Sequence, residues 1–435
     1  MFALIDGNNF YVSCERAFQP ALHGKPVVVL SNNDGCAISR SNEAKAMGIK
    51  MAQPYYQFRE MERTTDLVCL SANFELYGDM STRMMAIAAG LGPQQEIYSI
   101  DESFIGDLHG IPDLTRRAWA IRNRIWRWTS IPTCIGLAPS KTLAKLCNHI
   151  AKEAERKPGS YPAELAKVCN WAELPPLKHQ ELLQCTPASD VWGIGRRMAA
   201  KLAEQGIFTA WDVARMPVTQ AREAWSVVME RTVRELQGVS CINLEHAPAP
   251  QQQIACTRSF GHAISSLPPL VEAVSEFATR AAEKLRHSQQ LAGALLVFAH
   301  TSPFRSGPRF HQSISIPLHH PTSDTRALVK AALDGLRKIY QPGFELAKAG
   351  VMLLDLCPAH AQQQAELLFE APTPRRDQSK LMEVMDRINA RYGKATLHIG
   401  STGHTQADKA GWRMRQEHRT PRYTTRLDEI PIARA

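Results

Sequence analysis

The chain is 435 residues long, enough for about three domains that each bury a core. With 44% hydrophobic and 21% charged residues it is neither a disordered tail nor a coiled coil, and its longest apolar runs are strand-sized, far short of a membrane span. The net charge is +9, and residues 371–435, with 13 basic and 7 acidic side chains, hold +6 of it, which admits a polyanionic partner without naming one.

The apolar opening Phe2 to Ile5 is broken at Asp6 before a secretory core could form, so the protein is expected to stay in the cytoplasm. Ten cysteines are scattered with no Cys-x-x-Cys, which argues for reduced, mostly buried thiols rather than a zinc site or a disulfide framework. Apolar patterning then predicts strand 2–5, helix 73–90, strands 95–100 and 103–108, helix 113–128 and strand 132–138, a β-α-β-β-α-β order with a mixed insertion at 20–71. In this split arrangement the third strand lies between the first two and runs antiparallel to the first, which brings Asp6 to Asp101 and Glu102. The insertion carries strand Val27 to Leu30, a polar turn from Ser31 to Gly35, a short strand to Ser39 and a helix from about Asn42 to Met47.

From about 165 to 237 strand signals vanish, and Pro175-Pro176, Pro187, Gly193-Ile194-Gly195, Gly206 and Pro217 separate short helices. A second β-α-β-β-α-β order follows: strand 252–258, helix 269–287, strands 292–300 and 311–317, helix 324–340 and strand 347–356. A linker, a helix at 378–391 and a basic tail, mobile unless a partner holds it, complete the chain. The fold class is α+β and multidomain.

Three carboxylates converging from two places suit a site for two Mg²⁺ ions, which take oxygen ligands. Taken singly, Asp6 as a turn cap and Asp101-Glu102 as solvated hairpin residues are the plainer readings, and convergence is what reverses them. Consecutive strand residues face opposite ways, so Asp101 and Glu102 share a site only where the strand start is twisted. The run from Gly7 to Tyr11 turns toward a helix whose free N–H groups suit phosphate oxygens. Phe10 and Tyr11 read equally as core aromatics or, for Tyr11, as a ring that packs on a sugar and excludes a 2′-hydroxyl. Ser140 looks like an N-cap, with Lys141 and Lys145 one turn apart on a helix that either lies near a triphosphate or is simply solvated. Arg40 and Lys45 form a second basic pair with the same two readings. The run Val191-Trp-Gly-Ile-Gly-Arg-Arg197 reads as a helix-hairpin-helix turn for DNA phosphates or as a plain link between packed helices. Gln364-Ala-Glu-Leu-Leu-Phe369 has the spaced anchors of a short docking peptide.

These residues together resemble a known family. The opening Phe-Ala-Leu-Ile-Asp6 with Phe10-Tyr11, the block Pro26 to Gly35, Asn42-Glu-Ala-Lys45, Tyr98-Ser-Ile-Asp-Glu102, Ser140-Lys-Thr-Leu-Ala-Lys145, Val191-Trp-Gly-Ile-Gly195 and Pro421-Arg-Tyr-Thr-Thr-Arg426 are similar to Y-family translesion DNA polymerases, and more narrowly to the UmuC-like members, the catalytic subunits of bacterial DNA polymerase V and their plasmid-borne relatives. The resemblance implies a right-hand polymerase with a ferredoxin-like palm at 1–20 and 72–164, fingers at 21–71, a helix-hairpin-helix thumb at 165–240, a little finger at 245–356, and a linker and flexible tail at 357–435. It implies that Asp6, Asp101 and Glu102, with the carbonyl of Gly7, bind two Mg²⁺ ions, and that Phe10, Tyr11, Ser39, Lys45 and Lys145 hold the incoming nucleotide, Tyr11 as the steric gate. Gly193, Gly195 and Arg196 would meet the duplex backbone, and Gln364, Leu367 and Phe369 a sliding clamp. Further implied partners are primer-template DNA, deoxynucleoside triphosphates, a UmuD-like dimer and a RecA filament, with no membrane partner. The sequence departs from the family where Gly7-Asn8 follow the first aspartate, which leaves the carbonyl ligand but loosens the loop. Asn42 stands where a phosphate-binding tyrosine is common, and Lys45 where some relatives have arginine. The activity implied is error-prone translesion synthesis in the SOS response. A catalytically idle DNA-bound scaffold and a nucleotidyl cyclase are the rival readings.

Overall fold

The computed structural model describes residues 1–245, 247, 249–359, 379–393, 395–403, 414–430 and 432. The chain divides into two compact units, Met1–Pro248 with Gln416–Ala435, and Ala249–Arg415. Among the described residues no helix is long and apolar enough to cross a membrane.

In the first unit the elements run β1 (Phe2–Gly7), α1 (Phe10–Phe18), β2 (Val27–Leu30), β3 (Ala37–Arg40), α2 (Asn42–Ala46), α3 (Arg59–Thr64), β4 (Val68–Ser71), α4 (Phe74–Ala88), β5 (Gln94–Ile97), β6 (Glu102–Gly106), α5 (Leu114–Thr129), β7 (Thr133–Ala138), α6 (Lys141–Arg156) and β8 (Val168–Asn170). A helical series follows: α7 (Pro176–Cys185), α8 (Arg196–Glu204), α9 (Ala210–Ala214), α10 (Val218–Ala224) and α11 (Val227–Leu236). The main sheet has the order β5-β6-β1-β7-β8, so the third strand of the motif does lie between the first two. Strands β2, β3 and β4 form a separate small sheet in the inserted segment. Strand β8 was not expected, since a three-residue edge strand is too short to carry an alternation signal. It pairs in parallel with β7.

The main sheet separates two cores. Ala3, Ile5, Ile105, Ile135 and Leu137 face α4 and α5, whereas Leu4, Phe104, Cys134 and Ala138 face α6 and the helical series. Helix α6 is amphipathic, burying Leu143, Leu146, Cys147 and Ile150, and each such aliphatic side chain contributes roughly 1.5–3 kcal/mol. Its close seat on β7 depends on Gly136, where a Cβ would stand 2.2 Å from the carbonyl oxygen of Ala144. Asn148 fixes the same contact, its Nδ2 donating to the Cys134 carbonyl at 2.7 Å. Ser140 caps the helix as expected, accepting from the Leu143 N–H at 3.3 Å. Lys141 does not face solvent or a ligand: its ammonium is buried against Glu96 at 2.6 Å.

Part of the tail that the sequence leaves free is held by this chain itself. The His418 N–H donates to Ser71 Oγ at 3.0 Å, and the Ser71 N–H to the His418 carbonyl at 3.1 Å. Asn73 Nδ2 donates to Thr420 Oγ1 at 3.1 Å and to the Pro421 carbonyl at 3.0 Å, while Tyr423 stacks on Phe18 with ring centroids 4.8 Å apart. Polar side chains in low-apolarity sequence therefore meet buried partners supplied from far upstream, a pairing that local composition does not reveal.

The second unit contains β9 (Ile254–Ile264), α12 (Leu267–His287), β10 (Gln290–Thr301), β11 (His311–Thr322), α13 (Thr325–Ile339), β12 (Leu346–Pro358) and α14 (Ser379–Tyr392). Its antiparallel sheet has the order β11-β10-β12-β9, with α12 and α13 packed on the apolar face. The predicted β-α-β-β-α-β order holds, though β9 runs six residues beyond its predicted end at 258. Helix α14 is tied to α12 by a two-pronged ion pair, Arg286 Nε and Nη2 to Asp386 at 2.6 and 2.7 Å.

Breaking the buried Lys141–Glu96 pair leaves the carboxylate without its cation and with the Glu245 N–H at 2.8 Å as its remaining described donor, so Lys141→Met is expected to lower unfolding free energy by about 3–5 kcal/mol in urea titration. The double change Lys141→Met with Glu96→Leu is expected to recover more than half of that loss, and equal stability of wild type and the single variant would contradict the assignment.

Candidate active site

Strand register does the first part of the assembly. In β1 and β6, Asp6 pairs directly with Glu102 and Leu4 with Phe104. Side chains alternate along a strand, so Asp6 and Glu102 share the face of Leu4 and Phe104, the face covered by α6. Two like charges opposite each other on a sheet repel. Helix α6 offsets them: Lys152 Nζ lies 2.5 Å from Asp6 Oδ2, and Lys145 Nζ lies 3.0 and 2.8 Å from the two Glu102 oxygens. Seven residues are two helical turns, so both lysines project from one side of α6.

Asp101 escapes the alternation because it precedes the strand. The loop before β6 is tight: Ser99 Oγ donates to Asp101 Oδ1 at 2.7 Å and accepts from the Glu102 N–H at 3.1 Å. The Asp101 carbonyl accepts from the Gly7 N–H at 2.8 Å, which holds its backbone beside the end of β1. Gly7 is not there for looseness, since a Cβ would stand 2.9 Å from the Phe10 ring and 3.3 Å from Met84 Sδ. Packing, rather than backbone freedom, explains the small residue.

Asp6, Gly7 and Asp101 open into a cavity of about 440 Å³ between β1, α1 and the inserted subdomain. Among the described residues its lining includes four basic side chains, Arg40, Lys45, Lys152 and Arg156. Burial, reinforced by Arg156, Arg40 and Lys152, holds Lys45 down at about 8. Burial likewise lowers Arg40, whose Nη1 donates to the Ile49 carbonyl at 2.7 Å while its Nε is buried without an acceptor among the described residues. Crowded cations with an unpartnered donor are what a bound polyanion would satisfy. On the acidic side, burial pushes Asp6 up to about 7 against the pull of Lys152. Burial also opposes the charge on Glu102, but Lys145 outweighs it and holds that carboxyl below its usual range.

Among the described residues no three His, Cys, Asp or Glu side chains are gathered as a ready metal cluster. The donor set still fits a hard divalent cation: the Asp6 and Asp101 carboxylates and the Gly7 carbonyl border one cavity, Glu102 pairs with Asp6, and all of these donors are oxygens.

Of the other predicted residues, Tyr11 and Ser39 line the cavity, Lys45 donates to Asn9 Oδ1, and Phe10 lines it with a ring buried in the core. Burial and then Asp101 raise the Tyr11 hydroxyl. Asn42 Oδ1 accepts from Asn9 Nδ2 at 3.1 Å and so fixes the loop rather than facing the cavity. Lys145, expected at the nucleotide, does not line the cavity: it pairs with Glu102 and stands over the Tyr98 ring at 4.6 Å and the Trp192 ring at 5.5 Å. The lysine that α6 gives to the cavity is Lys152, and Arg156 follows one turn later. Sequence reasoning stopped at Lys145, although the seven- and eleven-residue spacings were legible as one helix face. In the helical series Gly193, Gly195 and Arg196 are exposed at the start of α8, with Ile194 buried beneath and Gly193 at φ 90°. Gln364, Leu367 and Phe369 lie outside the described residues.

Residues 5–149 match the impB/mucB/samB family and residues 251–367 its C-terminal domain, while residues 379–433 match a domain of unknown function (DUF4113). The chain is 42% identical over 435 residues to Protein UmuC of Salmonella typhimurium, covering 99% of each. It is 39% identical over 439 residues to Protein MucB of Escherichia coli, covering 100% of this chain and 99% of the relative. Against DNA polymerase IV 1 of Bacillus subtilis it is 26% identical over 412 residues, 92% of each. Among solved structures, a Y-family DNA polymerase chimera of Dbh and Dpo4 superposes with a TM-score of 0.62 over 82% of this chain and all of that one at 18% identity, a likeness of fold.

The cavity cations give a pH signature. Lys45, protonated below about 8, loses its charge above it, so affinity for inorganic tripolyphosphate is expected to fall by about tenfold per pH unit above 8 through this group. Calorimetric titration of wild type and Lys45→Met from pH 7 to 9.5 checks this, with a flatter profile expected for the variant. Parallel profiles would remove Lys45 from the anion site.

Proposed function

The chain belongs to the impB/mucB/samB family and is a Y-family DNA-directed DNA polymerase of α+β right-hand fold, and from that premise we propose that it extends primers past damaged template bases by two-metal nucleotidyl transfer. The observation that carries this reading is the shared cavity, which Asp6 and Asp101 line together with Arg40, Lys45, Lys152 and Arg156. Asp6, Asp101, Glu102 and the Gly7 carbonyl would hold two Mg²⁺ ions. Such ions lower the pKa of a primer 3′-hydroxyl and stabilise the departing pyrophosphate.

This chain's own residues bind and orient. Lys152, Lys45, Arg40 and Arg156 neutralise the triphosphate and then the pyrophosphate, electrostatic work that needs cations already in place. Ser39 adds a hydroxyl at the same wall, and Phe10 supports the wall from the core. Tyr11, presented by the second residue of α1, packs beneath the sugar and rejects a 2′-hydroxyl by collision. Lys145 acts one step back, setting the Glu102 carboxylate. We assign the palm to 1–20 and 72–164, fingers to 21–71, thumb to 165–240 and little finger to 245–356, with Gly193, Gly195 and Arg196 gripping duplex phosphates in a salt-sensitive manner. In the cell the enzyme serves the SOS response at the nucleoid, with a UmuD-like dimer, a RecA filament and a sliding clamp engaged through Gln364, Leu367 and Phe369.

Primer extension on lesion-bearing and intact templates, with Mg²⁺ and with those accessory proteins present, tests the proposal. Asp101→Ala is expected to cut incorporation by more than about a hundredfold. Lys152→Ala is expected to raise KM for the deoxynucleotide by about tenfold, with Lys145→Ala acting mainly on kcat. Equal activity of wild type and Asp101→Ala would end the two-metal reading.

A further inference from the structure

The docked part of the tail reaches the back of the nucleotide site. Helix α1 presents Tyr11 and Glu15 one turn apart, Tyr11 to the cavity and Glu15 to the interior, where it is fully buried. The Tyr11 ring lies flat on the Tyr77 ring, with centroids 4.5 Å apart and planes 16° apart. Tyr77 is itself buried and has its hydroxyl committed: Oη donates to Glu15 Oε1 at 2.6 Å. The same oxygen accepts from Thr420 Oγ1 at 3.2 Å, across 405 residues of sequence. Thr420 is oriented in turn, because its Oγ1 accepts from Asn73 Nδ2 at 3.1 Å and its carbonyl from the same group at 3.2 Å.

We propose that the C-terminal segment around Thr420 is a positioning element of the nucleotide site, fixing Glu15 and Tyr77 and thereby the Tyr11 ring, so that sugar discrimination depends on the docked tail. The proposal rests on the reading of Tyr11 as the sugar gate. It gives a role to a segment that lies within the match to a domain of unknown function.

The physical case is one of satisfaction. Glu15 is a buried carboxyl whose Oε2 has no hydrogen-bond partner among the described residues, so its only described donors are the Tyr77 and Thr420 hydroxyls on Oε1. Burial pushes Glu15 up to about 7, and those two hydroxyls pull it back. Without the Thr420 donor the neutral acid gains ground and must itself donate, which competes with the Tyr77 hydroxyl for the orientation that now holds the ring. A ring freed on one side tilts, and a gate made by collision is sensitive to tilt. The segment is anchored independently of Thr420 by the exchange with Ser71, by Arg422 on Glu75 at 2.8 Å and by Tyr423 on Phe18, so Thr420 can be altered without stripping the tail from the fold.

The experiment measures kcat/KM for a deoxynucleotide and its ribonucleotide on one template, using the full chain with the accessory proteins above. The proteins compared are wild type, Tyr11→Ala, Tyr77→Phe, Thr420→Val and Thr420→Ser, each checked by thermal melting. The selectivity ratio is expected to collapse in Tyr11→Ala, to fall about tenfold in Thr420→Val and Tyr77→Phe, and to return to wild type in Thr420→Ser, which keeps the hydroxyl. A tail with a merely structural role would lower both substrates together and leave the ratio alone. If Tyr11→Ala changes the ratio while Thr420→Val and Tyr77→Phe do not, the tail proposal is overturned and the gate reading survives. If Tyr11→Ala itself leaves the ratio unchanged, the gate reading fails first.

Discussion

The antiparallel pairing of β1 with β6 is the constraint from which the rest of the site follows. It sets Asp6 opposite Glu102 on the face of a sheet that is otherwise apolar, in Leu4, Phe104 and Ala138. A pair of buried like charges is tolerated only with compensation, and α6 brings it in Lys145 and Lys152. For those lysines to reach, the helix must sit close, and Gly136 permits that approach. The paired carboxylates are thus offset by ammonium groups on flexible stems, compact charges that can move without remaking the backbone.

The second consequence is a division of labour across the sheet and its flanking loop. Asp6 and Glu102 belong to the α6 side by strand alternation, whereas Asp101, one residue ahead of the strand, is held by Ser99 and lines the same cavity as Tyr11. The cavity therefore combines acids set by strand ends with basic side chains drawn from β3, α2 and α6. Because Arg40 and Lys45 come from the inserted subdomain and Lys152 and Arg156 from α6, a triphosphate bound there would bridge two structural layers.

Much of this was legible in the sequence where one period governs one face. The two β-α-β-β-α-β orders, the insertion with its strand Val27–Leu30, and the meeting of Asp6 with Glu102 all follow from period-two and period-3.6 patterns that tertiary contacts did not override. What was missed has physical causes. Lys141 and Lys145 stand nearest the helix start, where attention to capping falls, yet a helix crossing a sheet offers different residues to different depths, and Lys152 is the one level with the cavity. Gly7 suggested looseness because backbone freedom is the usual meaning of glycine, when here the space is taken by Phe10 and Met84. The docking of Thr420 and Tyr423 left no local trace at all, since its partners Glu15, Phe18 and Asn73 lie hundreds of residues upstream.

The central proposal is that Asp6, Asp101, Glu102 and the Gly7 carbonyl hold divalent metal beside a bound nucleotide. Anomalous diffraction from crystals grown with Mn²⁺, primer-template and a non-hydrolysable deoxynucleoside triphosphate tests it most directly. The account predicts manganese peaks bounded by Asp6, Asp101, Glu102 and the Gly7 carbonyl, with Lys152 released from Asp6 toward the phosphates. Nucleotide bound in the cavity with no manganese at those carboxylates, and Lys152 still paired to Asp6, would contradict it.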